Sequence, residues 1–165
     1  VTNPPPTVAD FDAVFLAHFT PMVRALTAAC GDADVAADAV QDAFVRAYAR
    51  WGRIGRYDDP VGWVRHVALN RIRDHFRRQT RGRRMVARLA ARTETVTPAP
   101  ELPGDPGALL ASLPEQQRTA MALFYVADCS VAEVAAAMGL SEGAVKYHLH
   151  AGRAALRGRI EADRP

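Results

Sequence analysis

The sequence predicts an all-α protein of two small helical domains joined by a flexible linker, and three observations carry that prediction. Apolar residues recur at three- and four-residue steps in every long segment, the period of an amphipathic helix, and no segment alternates as a half-buried strand would. Four prolines fall between Pro98 and Pro106, and no apolar period persists from residue 85 to 107. On both sides of that break, capping side chains and turn glycines stand where helices of ordinary length would begin and end. The chain has 165 residues and is 49% hydrophobic, a globular composition with room for one ordinary domain or two small ones.

Residues 1–8, VTNPPPTV, offer little to bury and are expected to form a disordered or extended arm. The first domain is expected over 9–84. Asp10 is its first expected N-cap, followed by Phe11, Val14, Phe15, Phe19, Met22, Val23 and Leu26 at helical spacing. Pro21 is expected to kink or split that helix, which ends near Gly31. A second helix starts at Asp32 or Asp34 and carries a broad apolar stripe of Val35, Ala36, Ala39, Val40, Ala43, Phe44, Ala47, Tyr48 and Trp51, with Asp38, Gln41, Asp42, Val45 and Arg46 on other faces. A connector through Tyr57, Asp58 and Asp59 leads to a third, in which Asp59 caps and Pro60 takes the first position, where its missing N–H costs nothing. Val61, Val64, Ala68, Ile72 and Phe76 make the apolar stripe of this helix. Its other face carries Arg65, Asn70, Arg73, Asp74 and Arg77, and it runs out into Arg78, Arg81, Arg83 and Arg84. Residues 85–107 read as linker, and 108–161 as a second domain.

Net charge is only +3, but it is unevenly spread. Residues 61–95 hold ten basic and two acidic groups, net +8, between acidic blocks of −3 (residues 1–60) and −4 (residues 96–141). Such concentration points to a polyanion partner rather than to a solubilising face. The two cysteines, Cys30 and Cys129, are far apart and outside any metal-ligand spacing, which fits a reducing, cytoplasmic compartment and predicts no metal and no cofactor. No signal peptide is read in the polar, proline-rich first residues, and no membrane insertion is expected. No phosphate loop or nucleophile elbow occurs, and Asp74 and His75, as helix neighbours, point about 100° apart, so no enzyme is expected.

The second domain carries a more specific signal. Ser130 and Glu133 form an S-x-x-E capping box, Gly139 can take the left-handed turn conformation, and Ser141 caps a last helix. Two short helices about such a turn make a helix-turn-helix, whose second helix presents its first residues to the major groove. The exposed candidates there are Ser141, Glu142, Ala144, Lys146, Tyr147 and His150, with Arg153 and Arg157 reaching phosphates.

The segment LPEQQRTAMALFYVADCSVAEVAAAMGLSEGAVKYHLHAGRAALR resembles the region-four domain of bacterial RNA polymerase sigma factors: L-P, an aliphatic-aromatic run, S-x-x-E-[IV]-A, then G-x-S-x-G-x-V-K and a basic tail. DVAADAVQDAFVRAYARW and DPVGWVRHVALNRIRDHFRRQTR are similar to the same family's region two. With two domains, a linker and no region three, the chain resembles the extracytoplasmic-function group. The resemblance implies that Asp38, Gln41, Asp42, Val45 and Arg46 dock on core RNA polymerase. It implies that Tyr57, Asp58 and Asp59 capture a base flipped from the −10 element, and that Asn70, Arg73, Asp74, Arg77 and Arg78 read and melt that element. The last helix would read the −35 element of promoter DNA, and an anti-sigma factor would be a partner. Trp63 has two readings, a core residue against the second helix or a stacking surface for DNA. Ala144 stands where the family often has Thr, Tyr147-His148 where Ser-Arg or similar is common, and Gly152 where Ala or Arg is frequent. That glycine costs about 1 kcal/mol against Ala in a helix. The −35 preference therefore does not carry over.

Two other readings compete. A stand-alone dimeric helix-turn-helix regulator would use the second domain but leaves the first unexplained. A pure protein-interaction module would have no need of the +8 block.

Overall fold

Thr7, rather than Asp10, starts the first helix in the computed structural model, which describes residues 6–89 and 106–162, without the side chains of 83, 84, 86–89, 106, 107 and 159–162. Thr7 and Asp10 form a reciprocal capping box: the Asp10 N–H donates to Thr7 Oγ1 at 3.3 Å and the Thr7 N–H to Asp10 Oδ2 at 2.7 Å. These bonds, the backbone one foremost, hold the Asp10 carboxyl below its usual pKa. Helix α1 spans Val8–Cys30 without a break. Pro21 neither kinks nor splits it enough to end it; the ring lies on the exposed side, where the carbonyl it leaves unbonded is open to water. Gly31 closes α1 in the left-handed region (φ 78°), returning its N–H to Thr27 O.

The expected arm is also corrected. The Trp51 indole donates to Thr7 O at 2.9 Å, and a Cβ on Gly55 would lie 2.7 Å from Pro6 Cβ, so residues 6 and 7 are packed. Residues 1–5 lie outside the described residues.

Helix α2 (Ala33–Ala49) is capped by Asp32, whose Oδ1 accepts from the N–H groups of Asp34 and Val35. Its apolar stripe meets α1 through an aromatic cluster in which Phe11 lies 5–6 Å from the rings of Phe44, Tyr48 and Trp51. A short α3 (Trp51–Ile54) leads to α4 (Pro60–Leu89). The Gly62 N–H donates to Asp59 Oδ1 at 2.7 Å, and a Cβ on Gly62 would press on the same carboxylate, which would have to shift from its cap position. Helix α4 runs on to Leu89, past residue 84, where the linker is expected to begin. Arg65, expected on the solvent face of α4, is buried at 6% exposure.

Helices α5 (Pro106–Leu110), α6 (Glu115–Tyr125), α7 (Val131–Met138) and α8 (Glu142–Ala162) complete the chain. Helices α4 and α5 thus reach a few residues into the expected 85–107 linker, and residues 90–105 lie outside the described residues. No strand occurs among the described residues.

The two halves pack on one another, α1 against α5 and α6, and α4 against α7, so that one apolar core runs from Phe11 to Leu149. Helix α1 is long and apolar enough, by length and composition alone, to cross a membrane (mean hydropathy 1.4 over 18 residues), which amends the expectation that no segment is. Its buried residues Met22, Ala25, Leu26, Ala28 and Ala29 belong to that core, and it packs on α2, α5 and α6.

Candidate nucleic-acid and polymerase interface

The spacing of α4 decides what its polar residues can do together. At about 100° per residue, Arg73, Arg77, Asn70, Asp74 and Arg78 follow one another around a single arc. Four of them are exposed and Arg73 is half-buried. One edge of the arc meets α7: Arg73 Nη1 lies 3.5 Å from Met138 O, and His66 donates from Nδ1 to Ala137 O at 3.0 Å. That bond leaves His66 Nε2 as an acceptor for the Asn70 amide at 2.9 Å, so His66 orients Asn70. The other edge meets α2, where Asp74 and Arg78 line a shallow hollow with Asp38 and Arg71.

The α2 set is less uniform. Asp38, Gln41, Val45 and Arg46 are exposed, Val45 at 60%. Asp42 is half-buried, and its Oδ2 lies 2.9 Å from both Arg46 Nε and Arg71 Nε. The Arg46 pair follows from i,i+4 spacing and is legible in the sequence. Arg71 and His66 were missed: His66 stands four residues before Asn70, a readable signal, whereas the Arg71 contact crosses between helices and leaves none. Exposed pairs of this kind contribute about 0–1 kcal/mol each.

Tyr57, Asp58 and Asp59 are exposed in the turn before α4, Tyr57 at 37%. Asp59 spends one carboxylate oxygen on its cap. Trp63 is half-buried, one part packed on the core and the rest accessible, so both of its readings stand. Arg81 is exposed; the side chains of Arg83 and Arg84 lie outside the described residues.

The helix-turn-helix forms as its caps dictate. Ser130 and Glu133 exchange hydrogen bonds (2.7 and 3.2 Å), which hold the Glu133 carboxyl low. Gly139 closes α7 at φ 67°, and Ser141 Oγ accepts from the Ala144 N–H. Val145 and Leu149 bury α8 against the core, and Ser141, Glu142, Lys146, Tyr147, His150, Arg153 and Arg157 stay exposed, with Ala144 half-buried. Lys146 lies 3.8 Å from Glu142, a loose pair, and Arg153 reaches Tyr125 Oη at 3.4 Å. Gly152 is explained by packing: a Cβ there would sit 2.9 Å from Met121 Cγ.

Neither cysteine is poised for chemistry. Cys30 and Cys129 are free, and burial pushes both thiols up. No metal-binding cluster occurs among the described residues.

Comparison with known proteins accounts for both halves. A model of sigma-70 region 2 matches residues 15–82, and one of sigma-70 region 4 matches residues 107–156. The ECF RNA polymerase sigma factor SigL of Mycobacterium tuberculosis is 33% identical over 137 residues, covering 77% of this chain and 75% of SigL. The RNA polymerase sigma factor CarQ of Myxococcus xanthus is 28% identical over 93% of this chain and 92% of its own. Among solved structures, the sigma factor RpoE in complex with the anti-sigma factor NepR from Bartonella quintana shares the fold, with a TM-score of 0.73 over 94% of this chain and 99% of that one at 22% identity. CnrH in complex with the cytosolic domain of CnrY gives a TM-score of 0.64 at 25% identity, over 96% of this chain and 92% of CnrH. With region two and region four matched in order and relatives of this identity spanned over three quarters of their length, the chain belongs to the extracytoplasmic-function sigma factors of bacterial RNA polymerase.

Proposed function

We propose that this sigma factor works through three separate surfaces: the α2 face for core polymerase, the α4 arc with the turn before it for the −10 element, and the start of α8 for the −35 element. The chain confers promoter specificity on RNA polymerase and is not itself an enzyme. The observation that carries the finer assignment is the exposed α4 arc of Asn70, Arg73, Asp74, Arg77 and Arg78, in the most basic block of the chain and beside the α2 face. Opening a duplex requires holding the displaced strand, which a basic surface with an accessible aromatic side chain does without bond chemistry. Tyr57, exposed in the turn before α4, and the accessible part of Trp63 supply such aromatic groups. A flipped base costs a few kcal/mol of stacking, which such contacts offset.

Docking on polymerase is assigned to Asp38, Gln41, Asp42, Val45 and Arg46, with Asp42 held in place by Arg46 and Arg71. The −35 contacts are assigned to Ser141, Glu142, Ala144, Lys146, Tyr147 and His150, with Arg153 and Arg157 on phosphates. The domain limits that go with these roles are 9–84 and 108–161. The protein works in the cytoplasm, and an anti-sigma factor is its regulatory partner, as in the RpoE and CnrH complexes.

Run-off transcription with core polymerase on a genomic promoter library tests the whole reading. Arg77→Ala with Arg78→Ala is expected to abolish initiation and leave core binding intact. Unchanged initiation would remove these arginines from the mechanism, and duplex binding without core would favour a stand-alone regulator, a reading that leaves the region-two match without a role.

A further inference from the structure

Thr80 is an exposed hydroxyl in the most basic stretch of the chain, and none of the three surfaces uses it. Arg77 and Arg78 stand three and two positions before it, and Arg81 follows it. No other serine or threonine of the chain has arginine at both of those preceding positions. Guanidinium groups so placed ahead of a hydroxyl are what a protein kinase with an acidic substrate groove selects, by charge complementarity. A kinase takes its substrate as an extended strand, so the backbone around Thr80 has to leave the helix briefly. Packing does not oppose this. Ile72 is the last buried residue of α4 among those whose side chains are described, Phe76 is half-buried, and every residue from Arg77 to Gly82 is exposed. Gly82 lowers helix propensity, and nothing lies within 4 Å of a Cβ placed there, so no close approach calls for a glycine. Local opening is easy where buried apolar contacts are few.

The same hydroxyl stands beside groups that would receive a phosphate. Thr80 lines a cleft of about 670 Å³ together with Arg73, Arg77 and Arg81 of α4 and Arg118 of α6. Arg77 lies one turn before Thr80 and Arg73 two turns before it, on the same helix face. Glu115 is the one carboxylate in the lining. Among the described residues, no carboxylate lies within ion-pair distance of any of the four arginines. Their charge is therefore available, and two of them, Arg73 and Arg77, belong to the arc assigned to the −10 element.

We propose that Thr80 is a phosphorylation site for an arginine-directed serine/threonine kinase, and that a phosphate there switches off the −10 surface. The kinase transfers the γ-phosphoryl group of ATP. The bond from Thr80 Oγ1 to phosphorus forms, the bond from that phosphorus to the ADP oxygen breaks, and the hydroxyl proton passes to the base of the kinase. The product carries a charge of about −1.5 to −2 at pH 7 and three acceptor oxygens, which guanidinium groups meet in bidentate pairs. Arg77, one turn away, then pairs with this phosphate in place of DNA, and the added charge repels the DNA backbone. The effect on promoters rests on the −10 reading above; the modification itself does not.

The full chain is incubated with ATP and the catalytic subunit of cyclic-AMP-dependent protein kinase, an arginine-directed enzyme. Intact mass and peptide mapping are expected to show one phosphate, on Thr80, and none on a Thr80→Val chain. No transfer, or transfer only elsewhere, overturns the site. The same phosphopeptide is expected in protein isolated from its source cells in growth and in stationary phase, and its absence from both overturns the switch. Reconstituted with core polymerase, the phosphorylated chain is expected to bind a −10 fork-junction duplex about tenfold more weakly at about 0.15 M salt, with a salt slope shallower by about one to two. Its affinity for core is expected to hold; a parallel loss there would place the effect on folding or docking and overturn the assignment to the −10 surface. Thr80→Val is expected to initiate as the unmodified chain does and to ignore the kinase. Unchanged −10 binding by the phosphorylated chain overturns the switch if Arg77→Ala with Arg78→Ala abolishes initiation. If that double variant also initiates normally, the −10 reading is at fault and the switch falls with it, while the modification site stands.

Discussion

Gly152→Ala separates helix propensity from packing, which here act with opposite signs. In an exposed helix the change would stabilise by about 0.8–1.0 kcal/mol, because alanine loses less backbone entropy. In this fold Gly152 is buried where α8 crosses α6. The new Cβ would lie 2.9 Å from Met121 Cγ and 3.2 Å from its Sδ, against about 3.5–4.0 Å for an unstrained carbon contact. Met121 is 4% exposed, and Leu113 Cδ1 is already 3.7 Å from the same point, so the side chain cannot retreat into solvent. Overpacking of this kind costs about 1–3 kcal/mol. The difference is a net loss of about 1 kcal/mol, or a fall in Tm of about 2–4 °C for a chain of this size. Thermal and urea unfolding of the full chain read it directly. A double-mutant cycle with Met121→Ala should show coupling of about 1 kcal/mol, since the cavity left at 121 takes up the added methyl. A higher Tm for Gly152→Ala would refute the reasoning and return this glycine to a simple departure from the family.

Gly139→Ala introduces no clash, since nothing lies within 4 Å of the added Cβ, but it forces a side chain to φ 67°, so unfolding should show a loss of about 1–2 kcal/mol from backbone strain alone. Glu133, whose folded pKa is depressed chiefly by the Ser130 N–H, contributes stability above its unfolded pKa near 4.5 that is lost as pH falls through the lower folded value. Glu133→Gln should therefore flatten the acid side of a stability–pH curve below about pH 5, and an unchanged slope would exclude the capping box as its source. Arg65→Met removes a buried guanidinium whose Nη1 has no partner among the described residues, so Tm should hold or rise; a loss above about 2 kcal/mol would mean that attraction to Glu133 outweighs desolvation.

What the sequence made legible was whatever depends on near neighbours along the chain. The Asp59–Pro60 start, the Ser130–Glu133 box and the Gly139 turn are each set by residues within four positions and formed as read, and of the two caps offered for α2 the structure takes Asp32. Thr7 aside, the failures have a tertiary cause. Thr7 was passed over for Asp10 because three prolines precede it, although Thr7-x-x-Asp10 has the spacing of a capping box. Pro21 was overweighted because its cost depends on whether the freed carbonyl meets water, which only the fold decides. Arg65 looked solvent-facing because its own helix pattern carries no sign of α7. Gly152 looked costly for the same reason, its partner Met121 being thirty-one residues away. The polar arc of α4 was visible from helical spacing; the partition of its two edges between α2 and α7 was not, because both are tertiary contacts.

That partition bears on how one helix serves several tasks. Arg71 ties α4 to Asp42 on the face assigned to polymerase, while His66 and Arg73, on the opposite edge, tie it to the helix-turn-helix half. The packing of α4 on α7 also carries a cost. Arg65 is buried there beside the start of α7 with an unsatisfied nitrogen, and burying a charge without full pairing costs several kcal/mol.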